Sequence, residues 1–217
     1  MTDELKRQAA LAALDELRDG MVVGLGSGST ASIFIRELGK SRLKILGIPT
    51  SEESERIATE VGILLTSFNE HPVIDVTVDG ADEVSPQLDL IKGLGGALVR
   101  EKIVAHASGR VVIIVDETKM VEQLGSKTAI PVEVIPLAVP RILLQLTGAR
   151  VRERNGQPIV SDNSNTIVDW NHGPIENPAA LEKELKAMTG VVDSGIFAGV
   201  ANCVIVAGDA GIRRLAR

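Results

Sequence analysis

The stretch at residues 24–34, GLGSGSTASIF, joins a short apolar run to a helical pattern through three alternate glycines. Gly26 and Gly28 allow the backbone to approach a ligand closely, while Ser29 and Thr30 bring hydroxyls to the start of a helix. The exposed amides and the dipole of a helix N-terminus both favour a bound anion. The stretch therefore predicts a strand, a tight turn and a helix with an anion site. The structural alternative is a turn that Ser29 or Thr30 merely caps.

Three anions are consistent with a glycine-rich turn of this kind. A nucleoside triphosphate is excluded, because the Walker loop needs a lysine after its last glycine and this stretch has none. A dinucleotide stays open, since Gly26, Gly28 and Ala31 fit the spacing G-x-G-x-x-A and Glu52 could contact a ribose. The phosphate of a small metabolite is the third possibility.

Strands and helices alternate through the first half of the chain. The predicted strands lie in MVVGLG, LKILGIPTS, GILLTSF, VIDVTVDGA and RVVIIVDE. The predicted helices lie in TDELKRQAALAALDEL, TASIFIREL, SEESERIATEVG and GALVREKIVAHA. This alternation predicts an α/β fold with a Rossmann-like, mostly parallel sheet, in which ligands bind at the carboxyl ends of the strands.

After about residue 126 the pattern changes to a strand, a helix, a hairpin at Asn155-Gly156 and a further helix. It predicts a second, smaller α+β domain at residues 127–202. Residues 1–126 with residues 203–217 are expected to form the Rossmann-like domain, the tail being an apolar strand followed by a basic helix.

Composition narrows the possible functions. A net charge of -6 argues against a general affinity for nucleic acid or for an acidic membrane. Aromatic residues make up only 2% of the chain, so stacking platforms are scarce and a small polar ligand is expected. No apolar run is long enough for a membrane span, and Cys203 is the single cysteine, which together favour the cytoplasm. The scattered His71, His106 and His172 predict no metal site.

Two acidic residues, Asp79 and Asp82, follow a predicted strand in the stretch VTVDGADEV. A carboxylate pair at such a place can orient sugar hydroxyls or move protons, and the structural alternative is an Asp-Gly turn with solvated acids. No metal is predicted here, because a hard cation would need further oxygen ligands and EF-hand spacing is missing from the sequence.

The stretch IKGLGGALVREKI repeats the opening pattern of glycines before a helix. Lys92 adds a positive charge to amides that the following glycines free, which predicts a second anion-binding turn. Glu101 follows on the helix, where a solvated acid is the alternative, and Lys119 follows the next strand in DETK. Because these groups follow successive elements of one α/β pattern, they are predicted to converge on one site.

In their order along the chain, the motifs GLGSGST, VDGADEV, IKGLGGALVREKI, DETK and IPVEVIP closely resemble the ribose-5-phosphate isomerase family of type A. The resemblance covers nearly the whole chain. It implies a Rossmann-like domain with a small α+β domain, assembled as a homodimer or homotetramer. It also implies an enzyme that interconverts ribose 5-phosphate and ribulose 5-phosphate without a metal or an organic cofactor.

The resemblance further implies which residues form the site. These are Ser27, Gly28, Ser29, Thr30, Asp79, Gly80, Ala81, Asp82, Lys92, Gly93, Leu94, Gly95, Glu101 and Lys119, with Lys6 as a further candidate. Ser27 stands where the family commonly has threonine, and Leu94 stands where it has glycine.

The chemistry of the isomerisation suggests a role for each group. Glu101 is the expected base that carries a proton between neighbouring carbons, and Lys92 with nearby amides would stabilise the enediolate. Asp79 and Asp82 would assist the opening of the sugar ring, and the sequence does not assign a separate role to either. Residues 29–30, with Lys6 or Lys119, would hold substrate oxygens, and either glycine turn could take the phosphate.

Two other functional classes stay open from the sequence. The hypothesis of a nicotinamide-dependent oxidoreductase depends on the G-x-G-x-x-A spacing. A non-catalytic sugar-phosphate sensor is also compatible, because a fold does not determine a function.

Overall fold

A computed structural model describes residues 2–217 of the chain. The α-helices are α1 (Thr2–Ala13), α2 (Ser29–Lys40), α3 (Glu52–Glu60), α4 (Leu98–His106), α5 (Val139–Gln145) and α6 (Pro178–Ala187). The strands are β1 (Val22–Leu25), β2 (Leu46–Pro49), β3 (Leu64–Leu65), β4 (Val76–Asp79), β5 (Glu83–Val84), β6 (Leu90–Ile91), β7 (Val111–Asp116), β8 (Ile130–Val134), β9 (Ala149–Val151), β10 (Glu153–Arg154), β11 (Gln157–Pro158), β12 (Thr166–Trp170), β13 (Val191–Ser194), β14 (Ile196–Phe197), β15 (Cys203–Gly208) and β16 (Gly211–Ala216).

The chain forms two compact units. The first comprises residues up to 81, 100–119 and 200–217, and the second comprises residues 82–99 and 120–199. The sequence predicts residues 120–126 in the Rossmann-like domain and residues 200–202 in the smaller one, and the observed contacts group each with the other unit. The sequence also predicts residues 82–99 in the Rossmann-like domain, whereas the observed contacts group them with the second unit. The reason is strand pairing, because β5 and β6 lie in one antiparallel sheet with β14.

The first unit is built on a seven-stranded sheet with the strand order β16-β15-β7-β4-β1-β2-β3. All pairs from β15 to β3 are parallel, and only β16 runs antiparallel to its neighbour. Every residue of β1, β4, β7 and β15 is buried. Continuous apolar strands of this kind are typical of a parallel sheet that is covered on both faces. The predicted Rossmann-like, mostly parallel sheet is therefore confirmed.

Helix α2 is held on the sheet by one apolar stripe. Ala31, Phe34, Ile35 and Leu38 are buried at the spacing of successive helical turns. Burying a side chain such as Phe34 stabilises the fold by roughly 1.5–3 kcal/mol. The stripe thus fixes the start of α2 relative to the end of β1.

The tail differs from its prediction, because the expected basic helix is a strand, β16. Gly211 adopts a φ of +97° and closes a hairpin with β15. Arg214 then donates to Glu16 Oε1 at 2.5 Å and to Asp15 Oδ2 at 3.0 Å. The backbone pairing along β15 outweighs the helical spacing of the few apolar residues in this segment.

The second unit is the α+β unit that the sequence predicts. A four-stranded antiparallel sheet has the order β13-β8-β12-β9, and residues of α5 and α6 pack into its apolar core. The hairpin β10–β11 turns at Asn155 and Gly156, which both have positive φ. Among the helices that the structure describes, none has the length and hydrophobicity needed to cross a membrane.

Candidate active site

The opening loop of the first unit is shaped by one carboxylate. The Ser27 and Gly80 amides donate to Asp79 Oδ1 at 3.0 and 2.7 Å. Asp79 is buried at the end of β4, with 2% of its surface exposed. A Cβ atom on Gly26 would lie 2.2 Å from the same oxygen, so only glycine fits there. Asp79 therefore fixes the course of the chain between β1 and α2.

Helix α2 begins at Ser29, directly after Gly28, whose φ is +89°. Gly28 occupies the capping position and no side chain caps the helix, so Ser29 and Thr30 lie within the first turn instead of capping it. Lys6 Nζ donates to Ser29 Oγ at 3.0 Å, which brings an ammonium group to this helix end. Amides, a hydroxyl and a cation together suit a bound anion.

The Ser27 hydroxyl faces other side chains of the first unit. It lies 2.7 Å from Thr50 Oγ1 and donates to Ser51 Oγ at 2.8 Å, both beyond the end of β2. Ser51 forms a capping box with Ser54 at the start of α3. Neither Thr50 nor Ser51 was among the predicted site residues, although the Ser51-x-x-Ser54 capping pattern is a signal for Ser51.

Two further predicted residues of the first unit, Glu101 and Lys119, lie in its middle segment, residues 100–119. Glu101 lies in the first turn of α4 with 4% of its surface exposed, so it is not the solvated helix acid of the alternative interpretation. Lys119 ends a short 3-10 helix after β7 and is half-buried. Its ammonium group makes no hydrogen bond or ion pair with the residues that the structure describes.

In the second unit, Asp82 connects a strand to the second glycine-rich turn. Its amide donates to Ile91 O at 2.8 Å, next to the paired strands β5 and β6. Its Oδ2 atom accepts from the Leu94 amide at 3.0 Å. The carboxylate of Asp82 is thus held against the turn that follows Lys92.

The turn itself is closed by a hydrogen bond from the Gly96 amide to Gly93 O at 3.0 Å. Gly93 and Gly96 have φ values of +99° and +89°, which explains why both are glycines. Leu94 is not among the positive-φ residues, and its side chain is 45% exposed. The leucine that departs from the family pattern therefore fits without backbone strain.

Lys92 is buried at the start of this turn. Its amide donates to Gly195 O at 2.8 Å, and its Nζ atom lies 5.6 Å from the centre of the Phe197 ring. A cation over an aromatic face is attracted by the ring. Gly195, directly before β14, therefore positions the backbone of the lysine, and Phe197 on β14 positions its ammonium group.

Glu83 is a supporting residue that the sequence analysis missed. It is fully buried, and it accepts from the amides of Gly125, Lys127 and Thr128 at 2.6, 2.7 and 2.6 Å. These donors lie more than forty residues away in sequence, so no local pattern signals the contact. Glu83 begins β5 and directly follows Asp82, so its hydrogen bonds anchor the chain next to Asp82.

The structure also shows where the other candidate groups lie. The His71 ring nitrogen Nδ1 is 2.8 Å from Thr66 Oγ1, and His172 packs edge-on against Trp170. Among the described residues, no cluster of three or more histidine, cysteine, aspartate or glutamate side chains could hold a metal ion. Glu52, the ribose partner in the dinucleotide interpretation, lies exposed in the first turn of α3.

These features define a Rossmann-like α/β protein with a small α+β unit, and with loops suited to a phosphorylated metabolite. Such a class contains several families. The chain belongs to the ribose 5-phosphate isomerase A (phosphoriboisomerase A) family, whose model matches residues 46–211. The resemblance that the motifs indicate is thereby confirmed.

Relatives match the chain over nearly its full length. A ribose-5-phosphate isomerase A of Gloeobacter violaceus is 50% identical over 98% of this chain and 96% of its own. A ribose-5-phosphate isomerase A of Desulfatibacillum aliphaticivorans is 48% identical over 98% of this chain and 97% of its own. A solved D-ribose-5-phosphate isomerase in complex with phospho-erythronic acid superposes with a TM-score of 0.98, at 41% identity over 100% of both chains.

A second solved structure, ribose 5-phosphate isomerase A of Methanocaldococcus jannaschii, gives a TM-score of 0.94 at 40% identity over 99% of both chains. The comparisons support neither the nicotinamide-dependent oxidoreductase nor the sugar-phosphate sensor.

Proposed function

We propose that the chain catalyses the reversible isomerisation of D-ribose 5-phosphate and D-ribulose 5-phosphate, in the non-oxidative branch of the pentose phosphate pathway. The observation that carries this proposal is its match over the full length to a solved isomerase of that sugar phosphate, with a TM-score of 0.98. The buried Glu101 agrees with it, since the reaction needs one base that works without bulk water.

We assign the phosphate to the opening loop and not to the second glycine turn. The loop combines the uncapped start of α2, the hydroxyls of Ser29 and Thr30, and the ammonium group of Lys6. A dianionic phosphate interacts favourably with all three. In the second turn the Leu94 amide already donates to the carboxylate of Asp82. The amide is therefore not available to a phosphate, and the negative charge of Asp82 makes that turn less suited to a dianion. Lys119 is the further cation proposed for the substrate.

Glu101 carries the proton in the proposed reaction. It removes the proton from C2 of the open-chain aldose, and the electron pair moves into an enediolate whose negative charge develops on O1. Lys92 and turn amides stabilise that oxygen, a contribution of roughly 3 kcal/mol per well-placed donor. Return of the proton to C1 and transfer of the O2 hydroxyl proton to O1 then give the ketose.

The two aspartates receive separate roles. Asp79 has one oxygen committed to the amides of Ser27 and Gly80, so its proposed role is to hold the loop and Gly80 in place. Asp82 is half-buried and is proposed to move hydroxyl protons during opening of the sugar ring. Gly28, Ala81, Gly93 and Gly95 contribute backbone groups in this proposal.

We further propose that the enzyme acts in the cytoplasm as a homodimer or homotetramer, without a metal or an organic cofactor. Light scattering after size-exclusion chromatography measures the assembly directly. A monomeric mass at micromolar concentration would overturn that part of the proposal.

The decisive experiment is turnover by the purified protein. Ribose 5-phosphate is incubated with the protein and a chelator, and the formation of ribulose 5-phosphate is followed. We expect metal-independent turnover that phospho-erythronic acid inhibits competitively, because its planar, charged carboxylate resembles the enediolate and because both molecules carry a phosphate. The absence of turnover, or saturable micromolar binding of NAD or NADP in calorimetry, would contradict the proposal.

A further inference from the structure

An ion pair in the second unit contacts the turn that follows Lys92. Arg152 lies directly after β9, and its side chain is 9% exposed. Its Nε atom donates to Asp169 Oδ2 at 2.9 Å, and its Nη2 atom donates to Asp169 Oδ1. This two-point contact with a carboxylate on β12 fixes the plane of the guanidinium group.

The other edge of the same guanidinium group faces the turn. Arg152 Nη1 donates to Gly93 O and to Leu94 O, at 2.8 Å in both cases. Arg152 is also anchored through its backbone, because its amide donates to Ile167 O at 2.8 Å. Two consecutive carbonyl groups of the turn are thus held by one side chain that the sheet orients.

The orientation of these carbonyls determines the orientation of two amides. In a trans peptide the C=O and N–H bonds point in opposite directions, and the described chain contains no cis peptide. The amides of Leu94 and Gly95 therefore point away from Arg152. The Leu94 amide donates to Asp82 Oδ2, as this geometry requires. The Gly95 amide has no hydrogen-bond partner among residues 2–217.

We propose that Arg152, oriented by Asp169, is a positioning residue for the isomerisation. It holds both peptide planes so that the Leu94 amide fixes the carboxylate of Asp82 and the Gly95 amide is presented to a substrate oxygen. The inference rests on the proposed function, which supplies the substrate and the role of Asp82. It adds a residue from the β9–β12 region that the motifs do not contain.

The chemistry of the contact requires arginine. The guanidinium group donates from two edges in one plane, whereas an ammonium group is a point charge that cannot bridge a carboxylate and two carbonyls in this way. Arg152→Lys therefore keeps the charge and removes the geometry. Asp169→Asn is the complementary variant, because it keeps the side-chain volume and removes the negative partner.

A matched control lies two residues earlier in the chain. Arg150 is exposed on β9, it pairs with Asp169 across the strands, and it does not contact the turn. Arg150→Lys makes the same chemical change without touching the turn. We expect its kcat and KM to equal those of the unaltered enzyme.

The experiment measures kcat, KM and the hydrogen exchange of the Leu94 amide in all four proteins. We expect Arg152→Lys and Asp169→Asn to lower kcat at least tenfold, with KM changed less than threefold, because the proposed phosphate contacts lie on α2. The Leu94 amide should exchange at least tenfold faster in both variants. Unchanged kcat or unchanged exchange in Arg152→Lys would overturn the inference, as would failure of both variants to fold.

The two readouts also separate this inference from the proposed function. Absence of turnover in the unaltered protein would refute the isomerase activity by itself. The exchange measurement needs no substrate, so it still decides whether Arg152 fixes the turn.

Discussion

Two glycine-rich turns lead into helices, and they are held in different ways. The opening turn is fixed by Asp79, which lies on a strand next to β1 in the same parallel sheet. The turn after Lys92 is held by Arg152, 59 residues further along the chain from Gly93. A Cβ atom would be too close to Asp79 at Gly26 and to Leu98 at Gly93, but only Gly93 also has a positive φ. Similar glycine patterns therefore satisfy different physical requirements, and we expect them to divide binding and chemistry between them.

The largest expected effect tests this division at the helix after the second turn. Glu101→Gln removes the proposed base, and we expect kcat to fall at least 100-fold, because glutamine cannot carry the proton. The affinity for phospho-erythronic acid should change less than threefold, since the proposed phosphate contacts are intact. Steady-state kinetics and calorimetry measure the two quantities. Wild-type turnover in this variant would remove Glu101 from the base role.

A pair of alanine substitutions compares the glycines of the two turns. Gly26→Ala would place a Cβ atom 2.6 Å from the Asp79 backbone, so we expect a loss of about 1–3 kcal/mol in the free energy of unfolding and substrate binding at least twentyfold weaker. Gly95→Ala meets no atom within 4 Å and has no positive φ. Its free energy of unfolding should therefore change by less than about 0.5 kcal/mol. Equal losses in a denaturant titration would show that the two turns are held alike.

Lys6→Met tests the charge at the opening turn. Removing an ammonium group 3.0 Å from Ser29 Oγ should raise KM about tenfold and leave kcat within twofold, because a charged hydrogen bond contributes roughly 1.5–3 kcal/mol. Lys44→Met is the control, as Lys44 is exposed and unrelated to the turn. If both variants behaved as wild type, the phosphate would not bind at the start of α2.

The smallest effect concerns the ion pairs that connect α1 to α2. Hydrogen bonds from Lys40 and then Arg7 lower the pKa of Glu37. A lowered carboxyl pKa means that the stabilisation is present above the ordinary value of about 4.3 and is lost as the pH falls through the folded-state pKa. Glu37→Gln should therefore cost about 0.5 kcal/mol in urea unfolding at pH 7 and nothing near pH 2. A loss that is the same at both pH values would contradict this electrostatic origin.

Much of the fold follows from local patterns. Strands β1, β4 and β7 show continuous apolar runs, because they are buried in one sheet. Helix α2 shows a periodic apolar stripe, because only one of its faces is buried. The tail gave no such signal, since β16 is an edge strand whose residues are largely exposed. Its two arginines and three apolar residues fit a helix equally well, and only the hairpin with β15 decides between a helix and a strand.

The candidate site divides in the same way. Asp79, Asp82, Lys92 and Glu101 were found because they lie inside short motifs at element ends. Glu83 and Arg152 were missed because the backbone groups that they hold lie 42 and 59 residues away, and no spacing in the sequence encodes such contacts. The sequence thus indicates the residues proposed to contact a ligand more readily than the residues that position them.

The single cysteine can serve as a probe of local unfolding in the large sheet. Cys203 is 3% exposed in β15, between β16 and β7, and burial raises the pKa of its thiol. The thiol is therefore shielded and protonated at neutral pH, so a maleimide dye reaches it only when this part of the sheet separates. The rate of labelling then reports how often β15 separates from β16 or β7. A cysteine introduced at either turn could be labelled without background from the native one.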